Sequence, residues 1–385
     1  MTTVRVEVKP ELLRWARERA HLEVGALERA FPKLAEWERQ ETLPTLKQLQ
    51  QYAKRTRAPL GFFFLPEPPD EPVPIPDFRT FRDGPIARPS PELLDTVYIC
   101  QMRQDWYREY AETPGENRLA FVGSLTPTRD VVEAAAGIRR AIGLKGDDRT
   151  GGTWENALRD LVEAIEEYGV LVMRNGVVGN NTHRPLDVDE FRGFALSDPW
   201  APLIFVNARD TKAAQMFTLV HELVHVFIGR SALSDVSPRT LPDIEIERWC
   251  NQVAAEVLVP LGIFRNEYRP DSDLVGEMRK LSGKFKVSTL VILRRMHDAG
   301  GLDRNELWSA YDAELQRLRN LRKVKKEPGG DFYASEAVRV SPRFARALIQ
   351  STLEGNTLYR DAFRLLEIRK ERTFKAFSAE LDIEF

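Results

Sequence analysis

Hydrophobic residues recur at helical spacing over much of the chain. Between residues 10 and 65, one amphipathic pattern begins at Leu12 and a second at Leu46. A third pattern starts at Pro91 and places apolar side chains along one side from Leu93 to Tyr110. The spacing predicts a small helical domain at residues 1–65 and a further helix that opens the next domain.

A proline-rich segment separates these two regions. Pro66 to Pro76 reads PEPPDEPVPIP, with six prolines in eleven positions. This composition is incompatible with a helix or a central strand and favours an extended, semi-rigid spacer. We therefore assign residues 66–90 to a linker.

Strands are predicted in the middle of the chain. A helix that begins at Trp154 leads through Gly169 into a short strand at Val170–Met173, and the segments GFALSD at Gly193 and PLIFVN at Pro202 suggest two more. An apolar helix follows directly. The order predicts an α+β fold that is mainly helical and has a small sheet.

The chain after Pro260 is predicted to be helical again. The segment QRLRNLRKVKKEPGG carries six basic residues between Arg317 and Lys326 and ends in a Pro-Gly-Gly break. We interpret the basic run as a solvated helix face rather than a nucleic-acid contact. The break predicts a domain at residues 91–326 and a C-terminal helical domain at residues 331–385.

Composition describes an ordinary soluble protein. The 385 residues are 43% hydrophobic and 30% charged, with a formal charge of −2 and only two cysteines, Cys100 and Cys250. Two cysteines are too few for a disulfide framework, and no apolar stretch is long enough to cross a membrane. The first residues lack the pattern of a signal peptide. We expect a cytoplasmic protein with no membrane partner, and the oligomeric state stays open.

The chemistry is concentrated in MFTLVHELVHVFIG, residues 216–229. His221 and His225 stand one turn apart on one face of the predicted helix, and Glu222 follows the first histidine. In His-Glu-x-x-His the two imidazoles bind zinc and the glutamate acts as general base. With five histidines in the chain, this pattern is expected by chance only ~0.01 times. The sequence therefore predicts a zinc site.

A catalytic zinc ion requires a third protein ligand and an open fourth position. The segment IEIERWCNQVAAEVLVP predicts a second buried helix that carries Glu245, Glu247 and Glu256. Spacing alone does not choose among these three carboxylates. Cys250, on the same helix, is the candidate fourth ligand if the site is structural rather than catalytic.

These segments resemble the ImmA/IrrE family of zinc-dependent metallo-endopeptidases. The resemblance is closest over residues 190–262 and covers an asparagine after a strand, a Phe-Thr pair, the His-Glu-x-x-His motif, and a Glu-x-x-x-Asn segment that ends in Leu-x-Pro. The matching residues are Asn207, Phe217, Thr218, His221 to His225, Glu247, Asn251, Ala254 and Leu258 to Pro260. Cys250 replaces the family's usual alanine and Val253 its usual aromatic residue.

The resemblance implies a gluzincin-like zinc peptidase core in which His221, His225 and Glu247 bind Zn2+. Glu222 would be the general base, and Asn251 would orient a ligand imidazole. The expected substrate is a regulatory protein of the repressor or antitoxin type. If the Gly193 strand is the sheet edge, an extended peptide could add to it.

A donor for the oxyanion is also needed. His183, in VVGNNTHRP, and Arg192, in EFRGF, are candidates because each precedes a strand of the predicted core. For His183, a local hydrogen bond in a loop is the simpler interpretation.

The first 65 residues resemble an Xre-type helix-turn-helix domain. The resemblance rests on Trp37-Glu38, Pro44 to Leu46 and the closing turn at Leu60 to Leu65, but Leu22 to Glu38 is shorter than the family's two central helices. Twelve basic and eight acidic residues permit contacts with DNA phosphates without requiring them. Two hypotheses stay open for this domain: it binds DNA, or it is a docking module that does not read bases.

The alternative for the whole protein is a non-enzymatic regulator that binds DNA or a toxin and has a structural or vestigial metal site. The presence of Glu222 favours the enzyme, since a purely structural site has no use for a general base.

Overall fold

The computed structural model describes residues 4–76, 88–112, 117–144, 152–234, 245–324 and 339–383. The chain forms two compact units. One comprises Met1–Pro74 with Phe81–Tyr98, and the other Ile75–Thr80 with Ile99–Phe385. The predicted boundary at residues 326–331 lies outside the described residues, as does part of the predicted linker.

The first unit is built from short helices. These are α1 (Pro10–Arg19), α2 (Val24–Glu28), α3 (Leu34–Glu38), α4 (Leu46–Thr56) and a 3-10 turn at Leu60–Phe64. The N-terminus of α4 is fixed by a capping box, in which the Thr45 hydroxyl accepts from the Gln48 N–H and the Gln48 side chain accepts from the Thr45 N–H.

Aromatic rings fill the core of this unit. Tyr52 is fully buried, contacts Phe31 edge-on at 5.3 Å between ring centroids, and donates a 2.9 Å hydrogen bond from its hydroxyl to the Leu13 carbonyl. Burial raises the pKa of Tyr52 well above its ordinary value. This hydroxyl satisfies a buried polar group while its ring fills the core, so one side chain joins α1 to α4.

The proline-rich segment has neither helix nor strand over its described part, residues 66–76. Glu71 binds the Arg19 guanidinium through both carboxylate oxygens, and Arg19 is 6% exposed. The first half of this segment is therefore held against its own unit by a buried ion pair.

The described helices and strands of both units are numbered together in chain order. In the second unit the elements that precede the metal helix are α5 (Pro91–Ala111, which begins in the first unit), α6 (Val131–Ala141), α7 (Trp154–Glu167), β1 (Leu171–Asn175), β2 (Val177–Val178), β3 (Asn181–Pro185), β4 (Gly193–Leu196) and β5 (Leu203–Asn207). Then come α8 (Lys212–Phe227), β6 (Ala232–Ser234), α9 (Glu245–Leu258), α10 (Leu261–Glu267), α11 (Leu274–Phe285), α12 (Thr289–Asp298) and α13 (Arg304–Val324). The C-terminal helices are α14 (Pro342–Leu353), α15 (Tyr359–Leu366) and α16 (Glu371–Glu380).

The main sheet has the strand order β1–β5–β4–β6. β1 is parallel to β5, whereas β4 is antiparallel to both β5 and β6. β2 and β3 form a separate antiparallel hairpin. The prediction of an α+β fold with a small sheet is confirmed.

β4 is not the edge of this sheet, contrary to the arrangement considered from the sequence. Phe194 pairs with Phe205 on one side and with Leu233 on the other. The N–H of Leu233 in turn donates to the Pro76 carbonyl at 2.9 Å. The sequence pattern missed β6 because three residues are too few to show an alternation.

The metal helix α8 packs very closely on the sheet at Gly193. A Cβ atom at that position would lie 2.5 Å from Thr218 Cγ2 and 2.7 Å from the Phe205 carbonyl oxygen. Only glycine leaves room for this approach, and it brings α8 against the strand that faces Glu222.

The C-terminal helices pack against the same unit. The Arg343 N–H donates to the buried Glu166 carboxylate at 3.3 Å, and the Val172 N–H donates to its other oxygen at 3.2 Å. The Arg103 guanidinium donates to the Leu365 carbonyl at 2.9 Å. α14 and α15 thus share buried hydrogen bonds with α5, α7 and β1.

None of the helices in the described part of the chain combines the length and the apolar character needed to span a membrane.

Replacing Gly193 by alanine is expected to destabilise the protein by about 1–3 kcal/mol, because the added methyl group overlaps a backbone oxygen as well as a side chain. The measurement is the free energy of unfolding from a denaturant titration. Gly137→Ala is the matched control. Gly137 lies inside α6 with nothing within 4 Å of a new Cβ, so alanine there is expected to stabilise by up to ~1 kcal/mol. Equal effects of the two substitutions would contradict the close packing described for α8.

Candidate metal centre

Three side chains converge inside the second unit. Nε2 of His221 and Nε2 of His225 are 3.1 Å apart. The Glu247 carboxylate places one oxygen 3.2 Å from His221 Nε2 and the other 3.1 Å from His225 Nε2. Among the described residues, these three form the one group of His, Cys, Asp or Glu side chains whose donor atoms suit a metal ion.

Two packed helices position the three donors. His221 and His225 are one turn apart on α8, so both rings project from the same face. Glu247 lies in the first turn of α9, which packs against α8 through the core that includes Val224 and Val253. The donors meet because apolar faces on both helices fix the spacing between them.

The structure shows which of the three candidate carboxylates on α9 lies beside the histidines. Glu245 is exposed at the start of α9. Glu256 is buried but forms an ion pair with Arg295 at 3.0 Å and accepts from the Leu261 N–H at 3.0 Å. Glu247, 3% exposed, is the carboxylate that faces the two imidazoles.

α9 has a second anchor. The Trp249 indole N–H donates to the Arg129 carbonyl at 2.9 Å, next to the start of α6. This bond fixes the rotation of α9 about its axis near Glu247, and therefore the direction in which the carboxylate points.

The pKa shifts of Glu247 and His225 suit a metal site. Burial by itself raises the pKa of Glu247, but hydrogen bonds and charge interactions with His221 and His225 outweigh it and lower the pKa below its ordinary value. Burial lowers the pKa of His225. An ionised carboxylate beside a neutral imidazole is the form in which these side chains bind a cation.

Glu222 occupies the position next to the donors that the motif predicts. It is fully buried on α8, and its Cγ lies 3.4 Å from where a Cβ of Gly193 would be. The side chain is therefore directed toward β4, whereas the neighbouring His221 ring is directed toward α9.

The remaining predicted residues are placed as follows. Asn251 is half-buried on α9, and within the described part of the chain it makes no hydrogen bond to either imidazole. Arg192 forms a 2.8 Å ion pair with Asp210. His183 is exposed on β3, in the separate hairpin, and its N–H donates to the Asn181 side chain. The structure does not bring these three residues into the donor cluster.

Cys250 also lies outside the cluster. It is fully buried on α9, and burial raises the pKa of its thiol well above the ordinary value. Its sulfur is not among the donor atoms that converge at His221, His225 and Glu247. This arrangement argues against the closed structural site considered as the alternative.

Sequence reasoning missed the two residues that set the distance between α8 and the sheet. The Thr218 methyl group lies directly against Gly193. The sequence identifies Gly193 only as the start of a strand and Thr218 only as a member of the Phe-Thr pair. The available signal was the glycine that opens an otherwise apolar strand, which often marks a close backbone approach.

The geometry agrees with the comparisons. Residues 165–297, about a third of the chain, match the IrrE N-terminal-like domain (Peptidase_M78). This match supports the resemblance to the ImmA/IrrE family and a metallopeptidase-like domain that carries all three donors. Residues 340–380 match a domain of unknown function, DUF8813. No curated protein matches the chain. Neither domain match reaches residues 1–65, so the Xre-like assignment stays a prediction.

Replacing Glu247 by alanine removes one of the three donors. Zinc affinity is therefore expected to fall by more than the roughly 10- to 100-fold that follows when a residue that only hydrogen-bonds a metal ligand is lost. The measurement is zinc content after dialysis, followed by competition with a chelator. Glu245→Ala is the matched control, since it removes an exposed carboxylate two residues earlier on the same helix and should leave affinity unchanged. Loss of zinc from both variants, or from neither, would contradict the assignment of Glu247.

Proposed function

We propose that the protein is a zinc-dependent endopeptidase of the ImmA/IrrE type. The observation that supports this proposal most directly is the convergence of His221, His225 and Glu247 beside a buried Glu222. A structural metal site would need the two histidines and Glu247, but it would give no reason for Glu222.

The donor set and its spacing fit zinc. Two imidazoles and one carboxylate are a ligand set found in catalytic zinc sites. The two imidazole nitrogens lie 3.1 Å apart, and each lies 3.1 to 3.2 Å from an oxygen of Glu247, so all three side chains could reach one ion. A zinc ion bound there would activate a water molecule as a nucleophile and polarise the peptide carbonyl.

The chain's own residues supply the proton transfer and the orientation. Glu222 would take a proton from the attacking water and deliver it to the departing amine. Its burial beside Gly193 limits the directions that the carboxylate can take. Thr218 stabilises this position because it packs on the same glycine one turn earlier on α8.

The proposed substrate is an extended segment of another protein. A metallopeptidase domain implies a polypeptide substrate, and the family resemblance suggests a repressor or an antitoxin-like regulator. β4, the strand next to Glu222, is paired on both sides. A substrate that adds by strand pairing would therefore use β6, the outermost strand on that side of the described sheet, and would have to displace the Pro76 carbonyl from the Leu233 N–H.

Replacing Glu222 by glutamine is expected to lower proteolysis by at least about 100-fold while zinc content stays within error, because a general base is lost and no donor is removed. Cleavage is measured by mass spectrometry on two substrate sets: a mixture of unstructured peptides, and the purified proteins encoded beside this chain.

Glu245→Gln, an exposed change on α9, is the control and should cleave like the parent. Chelation should stop cleavage, and added zinc should restore it. A Glu222→Gln protein that cleaves as fast as the parent would show that the base is another residue. A zinc-loaded parent that cleaves neither set would refute the peptidase proposal.

A further inference from the structure

A cavity lies away from the metal donors, and none of the three donors lines it. Its volume is about 660 Å3, within the ~300–1,000 Å3 range of small-molecule sites. One wall comes from the region that matches the peptidase domain, including Gly169 and Trp200, and another comes from the C-terminal region, including Ser351 and Asn356. The end of α5 forms the third wall. The proposed peptidase mechanism gives this cavity no role.

Aromatic rings dominate the α5 wall. Trp106 and Tyr110 stack with their centroids 5.4 Å apart and their planes at 15°, and Tyr107 lies 5.9 Å from Tyr110. Trp200 adds a fourth ring from the peptidase side. Four aromatic side chains therefore line one cavity, and the Trp106–Tyr110 stack leaves one face of each of these two rings uncovered by the other.

Polar contacts with other residues of the same cavity wall fix these rings. The Trp106 indole N–H donates to the Thr357 hydroxyl at 3.2 Å, and Phe344 packs edge-on against the same ring at 5.5 Å. The Tyr107 hydroxyl accepts from Arg343 Nε at 2.9 Å. Because their edges are held, the rings keep their orientation whether or not a ligand is present, which lowers the entropic cost of binding.

The charges around the cavity are mostly negative. Glu109 and Glu354 line it, and both are exposed enough to reach its open side. Arg343 is the one cation in the lining, and its guanidinium also donates to the Glu166 carbonyl at 3.2 Å, beside the buried Glu166 carboxylate. The positive charge of Arg343 is thus held by acceptors of the protein. Glu109 and Glu354 add two negative charges at the open side, and the Glu354 carboxylate also accepts from the Gln350 and Asn356 amides at 3.0 and 3.3 Å.

We propose that this cavity binds a small organic cation, such as a quaternary ammonium or protonated alkylamine compound. Aromatic faces attract cations through the ring quadrupole, and nearby carboxylates add charge attraction. The bound cation would contact the peptidase region and the C-terminal helices together. The proposal is independent of proteolysis, since it concerns a different site and binding alone.

The test compares choline with 3,3-dimethylbutan-1-ol, a neutral molecule of the same shape in which carbon replaces the charged nitrogen. Isothermal titration of the full-length protein is carried out at constant ionic strength with sodium chloride as balance. Choline is expected to bind saturably, and the neutral isostere at least about 10-fold more weakly, a difference of about 1.4 kcal/mol. The chain's seven tryptophans allow a parallel fluorescence titration.

Two matched pairs of variants locate the site. Tyr110→Leu removes a lining ring that is 39% exposed, whereas Tyr98→Leu removes a 46% exposed ring of the same helix that does not line the cavity. Glu354→Gln removes a lining carboxylate, whereas Glu380→Gln changes an exposed carboxylate elsewhere in the C-terminal helices. The first member of each pair should weaken choline binding at least about fivefold, and the second by less than about twofold.

Three results would overturn the proposal: no saturable binding of choline, equal affinity for the neutral isostere, or equal effects of the two variants within a pair. Equal affinity would instead indicate a cavity for neutral apolar molecules. Because the variants are exposed and conservative in size, an unchanged unfolding midpoint separates loss of binding from loss of folding.

Discussion

The whole second unit depends on burying a carboxylate next to two imidazoles at the contact of α8 and α9. Removing an ionised carboxylate from water costs several kcal/mol unless a partner compensates. At Glu247 the compensation comes from His221 and His225, which themselves are completely buried. The apolar faces of both helices bring these groups together, and the groups penalise any other rotation of α9. Packing and chemistry therefore specify the same geometry.

The sheet adds a second constraint. The distance between α8 and β4 is short because Gly193 has no side chain. With no Cβ at Gly193, Thr218 meets the strand directly and Glu222 is confined between helix and sheet. The metal donors and the Glu222 carboxylate thus project from different sides of α8, and different packing contacts hold them in place. Glu247 is held by α9 and the two imidazoles, whereas Glu222 is held by the contact of α8 with β4. This separation would let one helix serve both parts of the proposed mechanism, metal binding and proton transfer.

Local spacing made part of this site predictable from sequence, and long-range packing decided the rest. His221, Glu222 and His225 lie within five residues, so helical geometry alone relates them. Glu245, Glu247 and Glu256 differ in the direction they face on α9, and only the docking of α9 against α8 selects among them. The fold class followed from the order of apolar segments. β6 was missed because its three residues pair with a strand distant in sequence, Leu233 with Phe194. The β2–β3 hairpin was missed although its partners are close in sequence, because β2 has only two residues and the pairing is irregular.

The C-terminal helices, which the sequence assigns to a helical domain at residues 331–385, group with the second unit, and their contacts include a buried acid. The Glu166 carboxylate accepts from Val172 in β1 and from Arg343 in α14, and burial is the main reason that its pKa is raised. If α14 moved away, this carboxylate would lose one of its main-chain donors while it stayed next to the sheet. Leaving such a group short of partners costs about 1–3 kcal/mol or more. The aromatic cavity lies beside this contact, and Arg343 takes part in both. Its main-chain N–H donates to the Glu166 carboxylate of α7, while its guanidinium donates to the Glu166 carbonyl and to the Tyr107 hydroxyl in the cavity wall. A ligand in the cavity would therefore contact the same residue that attaches α14 to α7.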